Sequence, residues 1–259
     1  MKCRFCATQL ENVFADLGNA PTSNSYLTKE QLSEPEVFYP LKVFVCDNCK
    51  LVQIDEHKKT EDIFNQDYAY FSSYSTSWLE HAKQYVQMIT NKLQLTQDSF
   101  IIEIASNDGY LLQYFKERNI PCLGIEPTAS TAAVAKKKGI EVVEDFFGVK
   151  LAKNLKKADL ILGNNVLAHV PDINDFVQGL QIALNDDGVI NMEFPHLLEL
   201  IKNNQFDTIY HEHFSYFSFY TVKQIFEKQE LIIYDVEKLP THGGSLRIYA
   251  KHQNNHKLL

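Results

Sequence analysis

Apolar runs alternate with helical patterns through the second half of the chain, and residues 100–127 set this pattern. An apolar run at 100–104 leads into a turn of small residues at 105–109. Apolar residues at helical spacing follow, and a second apolar run occupies 122–125. Buried runs that alternate with amphipathic helices are typical of parallel strands joined by crossover helices. The segment therefore predicts strand, tight turn, helix and strand.

The same alternation continues along the chain and predicts seven strands, five of them parallel. Helices are predicted at 128–138 and 172–184. The last two strands have no helix between them, so they are expected to pair antiparallel at the edge of the sheet. The predicted strands span 100–105, 122–126, 141–145, 160–163, 189–194, 231–236 and 245–251.

Glu126 ends the second predicted strand and indicates the kind of ligand. In a parallel sheet, ligands bind beyond the carboxyl ends of the strands, where an acid can hold both hydroxyls of a ribose. A dinucleotide site has three fingerprint glycines, and the preceding turn contains only one of them, Gly109. This disfavours an NAD-dependent oxidoreductase. A ribose acid without a phosphate cradle predicts S-adenosylmethionine (SAM). The alternative is a surface acid ahead of a helix entered at Pro127.

Four of the five cysteines form two C-x-x-C pairs near the N-terminus. Two such turns supply the four soft ligands of a closed tetrahedral zinc site, whose role is structural because no position is open to substrate. Two unrelated pairs or a redox dithiol are the alternatives. We expect a zinc-binding unit at 1–58, and we expect Cys122 to be a small buried apolar residue. The predicted ligands are Cys3, Cys6, Cys46 and Cys49.

Residues 59–95 are predicted to be largely helical and aromatic, ahead of a third segment at 96–259. Apolar residues recur at helical spacing from Leu79 onwards. The aromatic residues of this linker either pack it onto the following segment or form a lid that carries a tyrosine hydroxyl, with Tyr70 as the candidate, into an active site. The aromatic residues are Tyr68, Tyr70, Tyr74 and Trp78.

Composition narrows the possible partners. The chain has 259 residues, 45% of them hydrophobic, and a formal net charge of -8. Phosphate backbones are bound by basic surfaces, so the acidic balance argues against nucleic acid. We find no apolar run long enough to span a membrane and no secretory signal at the N-terminus. A cytoplasmic protein with reduced thiols and a small-molecule acceptor is therefore expected.

Across residues 96–252 the order of elements resembles the class I SAM-dependent methyltransferases. Several motifs together resemble a narrower family, the sugar-nucleotide C-methyltransferases of deoxysugar biosynthesis, which methylate a carbon beside a 4-keto group. Besides the paired C-x-x-C unit, the motifs are SNDGYLL (106–112), GIEP (124–127), GNNVLAHVPD (163–172), YHEHFSYFS (210–218) and HGGSLR (242–247). Ala105 stands where that family usually has glycine. The family's further C-terminal domain, which helps to shape its sugar-nucleotide site, is expected to be lacking after Leu259.

The resemblance and the strand ends imply a methyl-donor site. Residues 106–109 should approach SAM through backbone groups, and Glu103 should lie near the methionine portion or the turn. Asp145 and its neighbour should meet the adenine, while the two asparagines after the fourth strand should meet the methionine portion or the acceptor, unless they only cap a turn. The expected SAM site consists of Glu103, Ala105, Ser106, Asn107, Asp108, Gly109, Glu126, Pro127, Asp145, Phe146, Asn164, Asn165 and His169.

Tyr210, His211, Glu212 and His213 offer a base and hydrogen-bond donors within four residues. An enolate requires both. The resemblance places the base on His213, with Tyr210 and Glu212 polarising the acceptor or orienting the imidazole. In a helical turn Tyr210 and His213 would face the same way, whereas in a strand Tyr210 would share a face with Glu212. A metal site or a polar cluster beneath the following aromatic residues is the alternative.

The resulting expectation is C-methylation of a keto sugar, with Tyr70 and His211 as further catalytic candidates. O-methylation of a sugar hydroxyl or another small acceptor, with His213 deprotonating oxygen, is the second hypothesis. A non-catalytic zinc- and SAM-binding module is the third. Weaker candidates for the same cleft are Glu193, His196, His242 and Arg247.

Overall fold

The structure, a computed structural model, describes residues 1–64 and 70–255, so the aromatic residue Tyr68 lies outside the described residues. Its strands fall into two sheets. In chain order they are β1 (Asn12–Ala20), β2 (Tyr39–Val45), β3 (Val52–Ile54), β4 (Ile101–Ile104), β5 (Cys122–Ile125), β6 (Glu141–Val143), β7 (Ala158–Asn164), β8 (Leu184–Pro195), β9 (Ser215–Tyr216), β10 (Leu231–Leu239) and β11 (Ser245–His252).

The helices lie between these strands, mostly as the sequence predicts. Short 3-10 turns occur at Gln31–Ser33, Ser72–Tyr74, Leu167–His169, Phe206–Thr208 and Thr241–Gly243. The α-helices are α1 (Thr60–Ile63), α2 (Thr76–Leu93), α3 (Leu112–Glu117), α4 (Ala129–Lys137), α5 (Val149–Ala152), α6 (Ile173–Ala183), α7 (Leu197–Lys202) and α8 (Phe219–Lys228). No helix within the described ranges is long and apolar enough to cross a membrane.

The larger sheet has seven strands in the spatial order β10-β11-β8-β7-β4-β5-β6. Strands β4 to β8 are parallel, and β11 pairs antiparallel with both β8 and β10. The prediction of this sheet, including its antiparallel final pair, is confirmed. Strand β8 begins earlier than the predicted residue 189, because the chain is already extended where α6 ends.

Apolar side chains cover both faces of this sheet. Ile101, Ile102 and Ile104 of β4 are buried, and they belong to two different apolar clusters. Parallel strands that are buried on both faces read as continuous apolar runs, which explains the pattern of the sequence. Helix α2 packs into one cluster through the face that carries Ala82, Val86 and Ile89, as its helical spacing predicts.

The smaller sheet joins the N-terminal part of the chain to a much later segment. Its order is β1-β2-β3-β9, and all its pairs are antiparallel. The very short strands β3 and β9 carry too few residues for a periodic signal. The division of the chain at residues 58 and 95 stays a prediction.

Two glycines provide a matched test of why the turn after β4 needs Gly109. Gly109 has φ +73°, and a Cβ there would overlap Ile140 Cδ1 and lie 3.2 Å from Ala135 Cβ. Gly18 has φ +74° with nothing within 4 Å of an added Cβ. Gly18→Ala should cost about 1–2 kcal/mol of unfolding free energy through its left-handed backbone. Gly109→Ala should cost about 1–3 kcal/mol more through overpacking.

Urea unfolding of both variants measures this difference. Equal losses of unfolding free energy in Gly18→Ala and Gly109→Ala would contradict the crowding around Gly109.

Candidate functional site

A cavity of about 720 Å³ lies where the parallel strands end. Its lining includes Ala105 after β4, Glu126 after β5, Asp145 after β6 and Asn164 at the end of β7. This is the position at which open parallel sheets bind ligands. The structure therefore brings residues that are far apart in sequence to a single cleft.

Glu126 is buried and held by backbone groups on both carboxylate oxygens. Its Oε2 accepts a hydrogen bond from Asn107 N at 2.8 Å, and its Oε1 accepts one from Thr128 N at 2.9 Å. Burial raises the pKa of Glu126, and these two hydrogen bonds oppose that shift. Each carboxylate oxygen has a further lone pair, so the fixed carboxylate retains the acceptors that two ribose hydroxyls need.

The turn after β4 bends through left-handed backbone at Ala105 and Asn107, with φ +55° and +50°. Both residues line the cavity, together with Pro127. The backbone N–H of Asn107 was expected to approach a ligand, but it donates its hydrogen bond to Glu126. Its side chain instead accepts from Ser72 N at 2.8 Å and donates to Tyr70 O at 3.1 Å. Asn107 thus fastens the linker over the cavity.

Four expected SAM-contacting residues lie outside the lining of the cavity: Glu103, Ser106, Asp108 and Gly109. Asp108 contacts Ser73 and lies 3.7 Å from Lys138 Nζ. Glu103 is fully buried within β4, and neither of its oxygens has a hydrogen-bond partner among the described residues. Burial raises its pKa well above the ordinary value. The expectation that these four residues contact SAM stays a prediction.

The other end of the donor site carries unpaired amide oxygens. Asn164 Nδ2 donates to Tyr110 Oη at 3.2 Å, and Asn165 N donates to Glu193 O at 2.7 Å. The side-chain oxygens of both asparagines are buried without a partner in the described part of the chain. They are suitable acceptors for the amino group of SAM. With Phe146 on the lining near β6, the residues present fit an adenosyl ligand with an amino-acid tail.

Tyr210 and His213 form a hydrogen-bonded pair within the YHEH segment. His213 N donates to Tyr210 O at 3.0 Å, so the two side chains face the same way, as predicted for a helical turn. Tyr210 Oη lies 2.9 Å from His213 Nε2, and His213 Nδ1 lies 2.9 Å from Thr208 O. A carbonyl only accepts, so Nδ1 carries the proton and Nε2 accepts from the tyrosine.

Only Tyr210 of this pair reaches the cavity lining, whereas His213 is buried behind it. Burial lowers the pKa of His213 to about 4, so the imidazole is neutral near pH 7. Burial and the charge of Glu212 raise the pKa of Tyr210 well above its usual range. The pair therefore consists of a protonated phenol at the cavity and a neutral acceptor behind it.

The two intervening residues point to the N-terminal part of the chain. Glu212 lines the cavity, and its Oε1 accepts from Ser23 Oγ and Asn24 Nδ2, each at 2.8 Å. His211 Nε2 lies 3.2 Å from Pro40 O, to which it donates, and His211 is not part of the cavity lining. His211 thus anchors the segment to β2.

His169 and Tyr70 both line the cavity. The His169 and His213 rings lie 4.6 Å apart between centroids, at 69° to one another. His169 Nδ1 is buried without a partner among the described residues, and burial lowers the pKa of this ring well below 6.5. Tyr70 is 48% exposed. His169 lies beside the YHEH segment, which favours a contact with the acceptor.

The four weaker candidates for the cleft differ in whether they reach the cavity. Arg247 Nη2 donates to Glu193 Oε2 at 2.7 Å, and both side chains are buried. Arg247 is thereby engaged in an internal ion pair, and it is not part of the cavity lining. His242 lines the cavity, whereas His196 and Glu193 do not.

Among the lining residues that sequence reasoning missed are Asn24 and Tyr110. Asn24 lies in a polar loop without periodicity, so no sequence signal marks it. Tyr110 directly follows the turn after β4, and its position in the SNDGYLL motif was the available signal.

The four N-terminal cysteines converge. Their Sγ atoms all lie within 4.8 Å of one another, with 3.5 Å between Cys3 and Cys49 and between Cys6 and Cys46. Four thiolates at about 2.3 Å from zinc stand about 3.8 Å apart, so the cluster fits the ion. Each pair lies in a tight turn that ends on a left-handed residue, Ala7 or Lys50. Four sulfur ligands would close the coordination shell of a zinc ion, which would supply structure there.

Two family models match the chain. One, described as “Putative zinc binding domain”, matches residues 3–64, and the other, described as a methyltransferase domain, matches residues 78–235. The C-methyltransferase NovU of Streptomyces niveus is 33% identical over 253 residues, which is 96% of this chain. The chain spans 60% of the length of that relative.

Solved structures show the same fold. A SAM-dependent methyltransferase from Clostridium acetobutylicum has a TM-score of 0.53 at 11% identity, covering 67% of this chain and 92% of that one. The magnesium protoporphyrin IX methyltransferase of Synechocystis PCC 6803, with bound S-adenosylhomocysteine (SAH), has a TM-score of 0.54 at 13% identity, covering 66% and 82%.

The seven-stranded sheet, the cleft at its strand ends and the cysteine cluster together define a class I SAM-dependent methyltransferase with a zinc-binding N-terminal unit. The chain belongs to the family of the methyltransferase domain, which matches more than half of it. The predictions of fold, family, methyl donor and zinc are confirmed. The roles of individual site residues stay predictions.

Changing Glu126→Gln tests the ribose contact. The change removes the charge that strengthens hydrogen bonds from ribose hydroxyls, so SAH should bind about 10- to 100-fold more weakly by calorimetry. Glu144→Gln is the matched control, since Glu144 is exposed, pairs with Lys136 and lies outside the cavity. Unchanged SAH affinity in Glu126→Gln would contradict the assignment of Glu126 to ribose.

Proposed function

We propose that the protein transfers the methyl group of SAM to a sugar-nucleotide carbon beside a keto group. The observation that carries the proposal is the hydrogen bond between Tyr210 and His213 at the cavity wall. The sequence similarity to a C-methyltransferase supports carbon as the nucleophile. A sugar nucleotide remains the acceptor class that the sequence motifs imply.

SAM supplies an electrophilic methyl group, so the protein has to generate the nucleophile. Tyr210 Oη takes the proton from the carbon next to the ketone while its own proton passes to His213 Nε2. The electron pair of the broken C–H bond forms the enolate, whose carbon then attacks the methyl group. His213 becomes an imidazolium that still donates from Nδ1 to Thr208 O. His213 returns the proton to solvent after SAH has formed.

This proton relay from Tyr210 to His213 explains how His213 can act as the base although it does not reach the cavity. Burial lowers the pKa of His213 to about 4, so the imidazole is neutral at pH 7 and its Nε2 lone pair is available for the proton of Tyr210. A free tyrosinate is avoided, since the pKa of Tyr210 is raised and its proton leaves only as another arrives. Coupled transfer through two groups thus replaces direct abstraction by His213, which was the sequence-based expectation.

The remaining lining residues suit the other needs of the acceptor. Tyr70 stays protonated because burial raises its pKa, so its hydroxyl can donate to the enolate oxygen. Glu212 is a hydrogen-bond acceptor for a sugar hydroxyl. His169 lies beside the His213 ring, where its unpaired Nδ1 can accept from a second hydroxyl.

Deuterium exchange separates proton abstraction from methyl transfer. The protein is incubated in deuterated water with SAH and a 4-keto sugar nucleotide, and NMR follows deuterium at the carbon next to the ketone. The parent should catalyse exchange. Tyr210→Phe and His213→Asn should slow it by about 10²- to 10⁴-fold with SAH affinity retained. Tyr220→Phe is the control, because Tyr220 is 59% exposed and outside the cavity lining.

The pH profile provides a further check. Exchange should not fall between pH 8 and pH 6, because His213 remains neutral until about pH 4. Methylation of an oxygen without any carbon exchange would contradict the proposal and assign O-methylation instead. Exchange that survives in both Tyr210→Phe and His213→Asn would contradict the relay.

A further inference from the structure

The YHEH segment is held against the cysteine-bearing part of the chain by backbone groups. Ile54 N donates to Phe214 O at 3.1 Å. Strand β9 pairs with β3, with Gln53 opposite Ser215. These contacts fix the backbone on one side of Glu212 and bring the loop that follows β1 next to it.

Two side chains of that loop bind the carboxylate of Glu212. Ser23 Oγ and Asn24 Nδ2 each donate to Oε1 at 2.8 Å, across nearly 190 positions of sequence. Glu212 is 1% exposed, so its carboxylate depends on such donors for stabilisation. Hydrogen bonds to a charged acceptor are about twice as strong as neutral ones and fix its direction.

Asn24 also lines the cavity, as do Glu56, Lys59 and Thr60 from the end of the same part of the chain. The backbone of Asn24 is left-handed, with φ +54°, a conformation that asparagine tolerates better than most residues. The loop therefore presents this amide to the carboxylate and to the cavity at once.

We propose that Ser23 and Asn24 are positioning residues that aim Glu212 at a hydroxyl of the acceptor, so that the zinc-binding part of the chain forms one wall of the acceptor site. The inference rests on the proposed function, in which Glu212 accepts from a sugar hydroxyl. Donors on Oε1 restrict rotation of the carboxylate and hold it towards the cavity. Acceptor recognition is thereby coupled to the N-terminal loop, while the SAM site is built from other elements.

Kinetics of single variants test this assignment. Ser23→Ala and Asn24→Ala should each raise the acceptor KM about tenfold, since each removes a hydrogen bond to a charged group. Neither change should alter the KM for SAM, the affinity for SAH or the zinc content. Ser23→Thr keeps the hydroxyl and should have the acceptor KM of the parent. Ser25→Ala is the matched control, because Ser25 accepts from Thr22 in the same loop and has no hydrogen bond to Glu212 in the structure.

An acceptor KM in Ser23→Ala and Asn24→Ala equal to that of Ser25→Ala would overturn the proposal. A parallel rise in both KM values would do so too, because it would indicate a general structural role. These results presuppose that the parent turns over a keto sugar, so absence of turnover would count against the proposed function alone.

A double-mutant cycle keeps the positioning contact testable without any acceptor. Ser23→Ala should shift the unfolding equilibrium constant about tenfold in the parent and less than twofold in a Glu212→Ala background. Equal shifts in both backgrounds would show that Ser23 does not act on Glu212 and would overturn the proposal.

Discussion

The pairing of β3 with β9 is the constraint on which the site depends. Gln53 of β3 lies opposite Ser215, two residues after His213. The same glutamine donates from Nε2 to Cys3 Sγ at 3.2 Å and accepts from Arg4 N at 2.9 Å. One buried residue thus contacts the cysteine cluster through its side chain and pairs through its strand with β9, which follows the YHEH segment. Zinc binding is expected to stabilise this connection, because metal-binding free energy is coupled to local folding.

The two ends of the cleft offer different chemical environments. At the donor end, backbone N–H groups fix Glu126 and the two asparagines present unpaired oxygens, which suits a ligand rich in hydroxyl and amino donors. At the acceptor end, burial keeps His213 neutral and Tyr210 protonated. In the proposed reaction, proton transfer therefore needs no exposed base.

The parallel sheet was predictable because its strands are buried on both faces and leave long apolar runs in the sequence. Glu126 and the asparagines could be placed from the same runs, since strand ends define the ligand edge. Gly109 was predicted to approach the ligand, and the structure shows a second reason for glycine there, since a Cβ at this position would overlap Ile140 Cδ1. A positive φ, a crowded Cβ position and a close ligand contact all require glycine, so sequence alone cannot distinguish these three causes.

The small sheet and its effect on the site could not be predicted in the same way. Strand β9 has two residues, and the contacts of Glu212 with Ser23 and Asn24 join positions that share no local pattern. Tertiary packing likewise decides that Tyr210 faces the cavity and that His213 lies behind it. The motif only places the two residues one helical turn apart. Side chains that act together through long-range contacts carry no periodic signal.

Amide hydrogen exchange tests whether the cysteine cluster holds the YHEH segment in place. Protection is compared between the zinc-loaded protein and Cys46→Ser, with Cys122→Ser as a control that leaves the cluster intact. We expect Cys46→Ser to lose protection in β3 and at residues 210–217 while β4 and β5 keep theirs. Unchanged protection at 210–217 after loss of zinc would contradict it.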